Sequence, residues 1–524
     1  MKNILQYLER AAEKWPERVC FTDGWDGGEE LTFAGLCEMS QRVGSALIRE
    51  GAGYGNRVAL LMTRHPAALT AMFGTVYAGA SYLVLDPDAP LARWRQLLEL
   101  SAADYLICDA DHWEQAATLV ASEDGAAGKS QRRVLLLDDL MLLPPEKESL
   151  LQVRKSQLDV DPIYTVFTSG STGNPKGVVA NHRSVIDYAE ALGETIPFDE
   201  NTVFGCQAPF FFDAPLKEIL MTLRQGGKTC LVPGRLFSFP ALLVSYLERN
   251  RVNTLCWVSS SLSALAVLGV PEQMPPTTVH TVVFGSERFP TPHYLRWRSA
   301  LPQADFWQLY GPTEATGMSC AWHADREVSP EEPLPIGFAL DNTEVLLLDD
   351  GNRRLNAWTD TGRIGEIYLR GTCVTMGYAY DSERTRTCFV QNPLQKEYPE
   401  TVYRTGDLAY YNERTELVYV GRRDAQVKRM GHRMELGEIE RCAQELPEIG
   451  LVACVAETGG GRIGLFYTGA PEEECVERWL RDRLPLYMLP DLIRKLPHMP
   501  QMPNGKLDRR GLAEKIKTGQ SEKG

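Results

Sequence analysis

The chain has 524 residues, 44% hydrophobic and 24% charged, and its 55 Lys and Arg against 69 Asp and Glu leave a net charge of -14. That length exceeds one ordinary core, so two or more domains are expected. The acidic balance, without a long basic cluster, argues against a nucleic-acid backbone as partner, and the apolar runs are too short to span a bilayer.

The N-terminal MKNILQYLERAAEKWPERV mixes Glu and Arg among apolar positions and reads as an amphipathic helix, not a cleavable signal, so a cytoplasmic location is expected. Strand-like runs then alternate with helical segments: RVALLM, PAALTAMFGTVYAGA, SYLVLD, PLARWRQLLELSAA, DYLICD. Such alternation predicts a parallel sheet with crossover helices, an α/β fold. SEDGAAGKSQRR (122 to 133) reads as an exposed loop before VLLLDD. Later come TVVFGSE, FWQLYGPTE, TEVLLLDD, GEIYLRG and ELVYVGRRD, expected to form a β-rich, partly hairpin-like part. Near Gly421 to Gly437 charge and glycine interrupt the pattern, and about a hundred residues follow, enough for a small domain. The tail GQSEKG is expected to fray. Twelve cysteines without a CxxC pair, and eight histidines without paired-ligand spacing, indicate neither a disulfide framework nor a zinc site.

One stretch asks for chemistry. VFTSGSTGNPKGV (166 to 178) sets glycines, the hydroxyls of Ser169, Ser171 and Thr172, and Lys176 between two apolar runs. A Walker loop needs glycine directly before the lysine and a hydroxyl directly after it; here Pro175 and Gly177 stand in those places. Backbone N–H groups and hydroxyls of such a loop can still wrap a phosphate chain, and a plain flexible connector is the alternative.

TSGSTGNPKG resembles the signature of the adenylate-forming superfamily. VYAGASYLVLDPDAPLAR, FGSERFP, YGPTEATG, YRTGDL, GRRDAQVKRMGHRMELGEIE, LPLYMLP and NGKLDR follow in the order found in amino-acid adenylation domains of nonribosomal peptide synthetases and the related D-alanine carrier-protein ligases, to about Arg510. The resemblance implies a large N-terminal core domain (1–423) and a small mobile α+β C-terminal domain (424–524) hinged at Asp424. It also implies two half-reactions: a carboxylate attacks ATP to give an acyl adenylate and pyrophosphate, and a thiol then takes the acyl group. Positioning and charge stabilisation suffice for both.

Roles carry over by motif. Thr168, Ser169, Gly170, Ser171, Thr172, Gly173 and Lys176 would cradle phosphate; Gly285, Ser286, Glu287, Gly311 and Thr313 would line the nucleotide site. Tyr310 matches the adenine-stacking aromatic, with core packing its plain alternative. Asp407 matches the ribose-binding carboxylate, Arg422 a second nucleotide contact, Glu314 the glutamate associated with Mg²⁺, and Lys506 the catalytic lysine of adenylation.

At the substrate end, Asp213 in FFFDAPLKEIL matches the aspartate that holds an amino acid's α-ammonium; the alternative is a helix N-cap. Ala214, Lys217, Val258, Val283, Leu309, Gly317 and Met318 align with the pocket. Lys217 would meet an acidic substrate side chain, or pair with Asp213 itself or snorkel to solvent, leaving the pocket for a neutral substrate. Ser260-Ser261 stands where proline is usual, and FGSE replaces FGGE or FCGE. With no carrier, condensation or thioesterase region recognisable, a freestanding ligase is expected, loading a separate phosphopantetheinylated carrier protein in trans, with Gly431 in the loop facing the thiol. The rivals are an acyl- or aryl-CoA ligase and a non-catalytic nucleotide-binding homologue.

Overall fold

The computed structural model describes residues 1–24, 28–121, 132–169, 174–423, 426–429, 431–457, 462–500 and 507–518. Gly170, Ser171, Thr172, Gly173, Asp424 and Lys506 lie outside them, as does most of the loop expected at 122 to 133. By contact the chain forms two compact units: Met1–Pro87, Ser101–Val166 and Gly177–Arg423 make the first, and Asp88–Leu100, Phe167–Lys176 and Asp424–Gly524 the second.

The first unit is layered α/β. RVALLM, SYLVLD, DYLICD and VLLLDD become Arg57–Leu61, Ser81–Val84, Tyr105–Cys108 and Arg133–Leu136 of a six-stranded sheet. All pair in parallel, Val58 lying opposite both Tyr82 and Tyr105. Helices link them because a parallel pair needs a crossover.

A nine-stranded sheet carries the strands that matter for the site. Val203–Cys206, Thr254–Val258, Thr281–Gly285 and Asp305–Tyr310 run in parallel side by side. TVVFGSE and FWQLYGPTE are therefore not hairpin partners, as their place in the β-rich stretch suggested. The helix Thr291–Ala300 crosses between them, and its pattern TPHYLRWRSA has too little apolar periodicity to announce itself. The β-rich reading holds further on. Thr343–Leu348, Gly365–Gly371, Thr401–Tyr411, Phe389–Gln391 and Leu417–Arg422 form a five-stranded antiparallel sheet. A shared core that includes Phe204, Leu220, Cys256, Val283 and Leu309 is fully shielded from water.

The second unit is α+β. Ile449–Ala456, Ile463–Gly469 and Leu492–Lys495 form a sheet, packed by Leu436–Gln444, Glu473–Arg481 and Arg509–Thr518. Ile439, Leu465, Val476 and Leu480 fill its core. Gln426–Arg429 and His432–Glu435 make a two-stranded ribbon, turned at Gly431, whose φ of +79° suits glycine. The helix Leu91–Ser101 supplies Arg93, whose guanidinium meets Glu438 at 2.7 Å with both side chains buried.

Candidate active site

Tyr310 ends a central parallel strand, and its buried hydroxyl donates to Asp407 Oδ2 at 2.6 Å. Arg422 stands opposite Asp407 in the neighbouring antiparallel strand and donates through Nη1 to Oδ1 at 2.9 Å and to the Thr405 carbonyl at 3.0 Å. The Asp407 N–H is held by Thr405 Oγ1 at 2.9 Å. Burial, then the nearby Asp407 charge, pushes the Tyr310 phenol far above its ordinary range, so it stays a donor. Three residues picked from separate motifs thus form one cluster. Each Asp407 oxygen has a protein donor and retains lone-pair capacity for further ones.

Beyond Tyr310 the chain turns sharply. A side chain at Gly311 would meet the Gly317 carbonyl at 2.3 Å, so glycine is required by close backbone approach. The short turn Thr313–Ala315 then buries Glu314 completely, and the Tyr378 hydroxyl donates to its Oε1 at 2.8 Å. Tyr378 and Thr405 are site neighbours that the sequence did not single out: Tyr378 reaches Glu314 from 64 positions further on, and Thr405 lies two residues before Asp407.

Asp213 does not cap the helix Leu216–Gln225: that helix starts from Pro215 with no side-chain cap. Its carboxyl borders an apolar cavity lined by Tyr82, Tyr164, Phe210 and Leu216. Burial raises its pKa and Glu314 adds repulsion, while a hydrogen bond with Thr313 pulls the other way. The residue expected at the substrate's ammonium therefore touches the YGPTE segment directly.

The remaining pocket candidates gather at the carboxyl ends of the parallel strands, where open α/β sheets bind ligands. Val258 lies opposite Gly285, Gly285 opposite Leu309, and Val283 opposite Cys256. A side chain on Gly285 would strike the Leu309 carbonyl at 2.3 Å, and one on Gly317 would press on the Tyr188 ring at 3.2 Å. Met318 is buried in the same core. Lys217 is 8% exposed in its side chain; Nζ donates to the Ala214 carbonyl at 2.7 Å and lies 3.4 Å from Glu218 Oε2.

Glu287 is engaged within the protein, its Oε1 accepting the Ser260 N–H at 2.9 Å, a bond that proline at 260 could not make. Ser286 sits at φ +69°. In the second unit, Thr168 and Lys176 are buried, and Ser169 Oγ accepts the Glu435 N–H at 2.9 Å. Among the described residues no group of three or more His, Cys, Asp or Glu is placed to hold a metal ion, and no helix is long and apolar enough to cross a membrane.

Comparison with known proteins decides the family. The model of the AMP-binding enzyme family matches residues 8–379. The chain belongs to the AMP-binding enzymes. An L-proline–[L-prolyl-carrier protein] ligase of Streptomyces coelicolor is 30% identical over 512 residues, covering 93% of this chain and 92% of that protein. One polypeptide of the linear gramicidin synthase of Brevibacillus parabrevis is 32% identical over 97% of this chain, which spans only 6% of that much longer protein. An artificially fused adenylation–PCP di-domain protein from Klebsiella oxytoca shares the fold with a TM-score of 0.78 at 21% identity over 94% of both chains. An o-succinylbenzoate CoA synthetase from Bacillus subtilis does so with 0.79 at 19% identity over 98% of both. The adenylate-forming superfamily and the relation to nonribosomal peptide synthetase adenylation domains, inferred from the motifs, are thus borne out. The fold of an AMP-binding enzyme is common to carrier-protein and coenzyme A ligases, so the choice between them falls to the site.

Proposed function

We propose that this AMP-binding enzyme activates an amino acid with ATP and hands it, as a thioester, to the phosphopantetheine thiol of a separate carrier protein. The carrying observation is Asp213: a carboxyl that caps no helix, is held by Thr313, and borders an apolar cavity. A buried carboxylate is costly without a cation, and a substrate α-ammonium supplies one, whereas a fatty or aryl acid brings none.

In the first half-reaction a substrate carboxylate oxygen bonds to the α-phosphorus as the bond to pyrophosphate breaks. In the second the thiol sulfur bonds to the acyl carbon, AMP leaves, and the thiol proton goes to solvent. Asp407 and Arg422 would hold the ribose end of the nucleotide, and Tyr310 would keep Asp407 oriented. Mg²⁺ fits a site with one buried carboxylate, because it takes one or two protein carboxylates and completes its shell with phosphate oxygens and water. Glu314 would hold it, and its charge would offset that of the phosphates. Lys506 would bridge the substrate carboxylate and the α-phosphate. Residues 1–423 and 424–524 would be the core and the mobile domain, with Asp424 absorbing the backbone change.

Pyrophosphate exchange into ATP, screened over amino acids, fatty acids and aryl acids, tests the reading. Amino-acid-dependent exchange is expected; exchange with fatty or aryl acids alone would reassign the protein as a coenzyme A ligase, and none with any acid as a binding protein. Lys506→Ala is expected to lose most exchange, and near-wild-type activity in that variant would remove the lysine from the chemistry.

A further inference from the structure

The first turn of the helix Leu216–Gln225 buries two opposite charges one residue apart. Neighbouring residues on a helix do not face each other; here the lysine stem folds back, so that Nζ reaches both the Ala214 carbonyl and Glu218. Neither Glu218 oxygen makes a well-aligned hydrogen bond; its polar neighbours are Lys217 Nζ and the Cys206 thiol, and the side chain is wholly shielded from water. A carboxylate placed this way is retained for its charge, since burial without hydrogen bonds is expensive. Glu218 favours the ammonium form of Lys217 against the cost of burial, while burial itself pushes the Glu218 carboxyl up against the pull of Lys217.

The thiols and the phenol around the pair carry no balancing charge. Burial pushes Cys206 up to about 12 and Cys256 and Tyr188 well beyond their ordinary values, so all three are neutral. Asp213, the other carboxyl at this end of the helix, bonds with Thr313 and also feels the Lys217 charge, but Glu218 is the carboxylate that Nζ reaches.

We infer that Glu218 is a specificity-determining residue: by pairing with Lys217 it holds the side-chain end of the amino-acid site at zero net charge, so that the enzyme selects amino acids with uncharged side chains. The inference rests on the amino-acid reading proposed above and narrows it. Without Glu218, Lys217 would be a lone buried cation and would recruit a substrate carboxylate; without Lys217, Glu218 would recruit a substrate cation.

The test is pyrophosphate exchange by the full-length chain with uncharged, acidic (aspartate, glutamate) and basic (lysine, ornithine) amino acids. The wild type is expected to prefer an uncharged side chain. Glu218→Gln should raise the acidic-to-uncharged ratio of kcat/KM by about tenfold or more, because a desolvated charge pair discriminates at that scale. Lys217→Gln should raise the basic-to-uncharged ratio comparably, and the double variant should return to the wild-type order. A purely structural role would lower all substrates together. Should Glu218→Gln fail to fold, the other two variants carry the comparison. A wild type that prefers aspartate or glutamate overturns the inference with no variant needed, as do unchanged ratios in the folded variants. Both results leave the amino-acid reading standing, whereas no exchange with any amino acid would sink that reading itself.

Discussion

Asp407 is the residue on which most depends. Its two oxygens take the Tyr310 hydroxyl and the Arg422 guanidinium, and the ion pair is nearly dry, with side-chain exposures of 3% and 9%. Asp407→Ala would strip the buried Arg422 guanidinium of this carboxylate, a loss of about 3–5 kcal/mol, which urea denaturation of the variant should register. Tyr310→Phe removes one charge-assisted bond and should cost about 1.5–3 kcal/mol. If the carboxylate also grips the ribose, that variant raises the KM for ATP more than it lowers kcat; the reverse split would assign the hydroxyl to structure alone. The individual members of this cluster were legible from YGPTE, YRTGDL and GRRD, but their mutual bonds were not, because strand register decides them. Glu218 was illegible for a different reason: standing directly beside Lys217, it belongs by helical geometry to another face.

At the scale of elements, two positions turn local geometry into measurable stability. Gly285→Ala sets a methyl group against a backbone carbonyl of the adjoining strand, which cannot swing aside as a side chain would. About 1–3 kcal/mol of destabilisation is expected, read as a lower thermal midpoint, together with weaker substrate exchange. The helix His182–Thr195 begins on a histidine that is 1% exposed, with the Ile4 N–H donating to its Nδ1 at 3.3 Å. Burial lowers its pKa to about 3, and the positive end of the helix also disfavours a second proton. Because the folded value lies below the unfolded one, the contribution is complete above pH 6.5. It is lost as pH falls from there toward 3, at about 1.4 kcal/mol per unit. His182→Gln should flatten that slope relative to wild type in denaturation series between pH 7 and 5; parallel slopes would refute the assignment. Parallel strands were readable as continuous apolar runs with helical spacers. The helix Thr291–Ala300 was not, and that is why TVVFGSE and FWQLYGPTE were grouped with the hairpins that come after them.

For the whole molecule, two units with separate cores predict that unfolding is not one all-or-none event. The smaller carries its own clusters around Leu465 and Phe466, and calorimetry should resolve more than one component; a single two-state endotherm would count against independent units. The smaller unit is also assembled from three distant stretches of chain, and its buried pair Arg93–Glu438 joins residues 345 positions apart. On the ribosome, at about 5–20 residues per second, the arginine waits roughly 20–70 s for its partner to be made. Until then its cation has only water and the neutral amide of Gln96, one turn on, to answer it, and the helix Leu91–Ser101 must persist, or be sheltered, as an unfinished surface in the nascent chain.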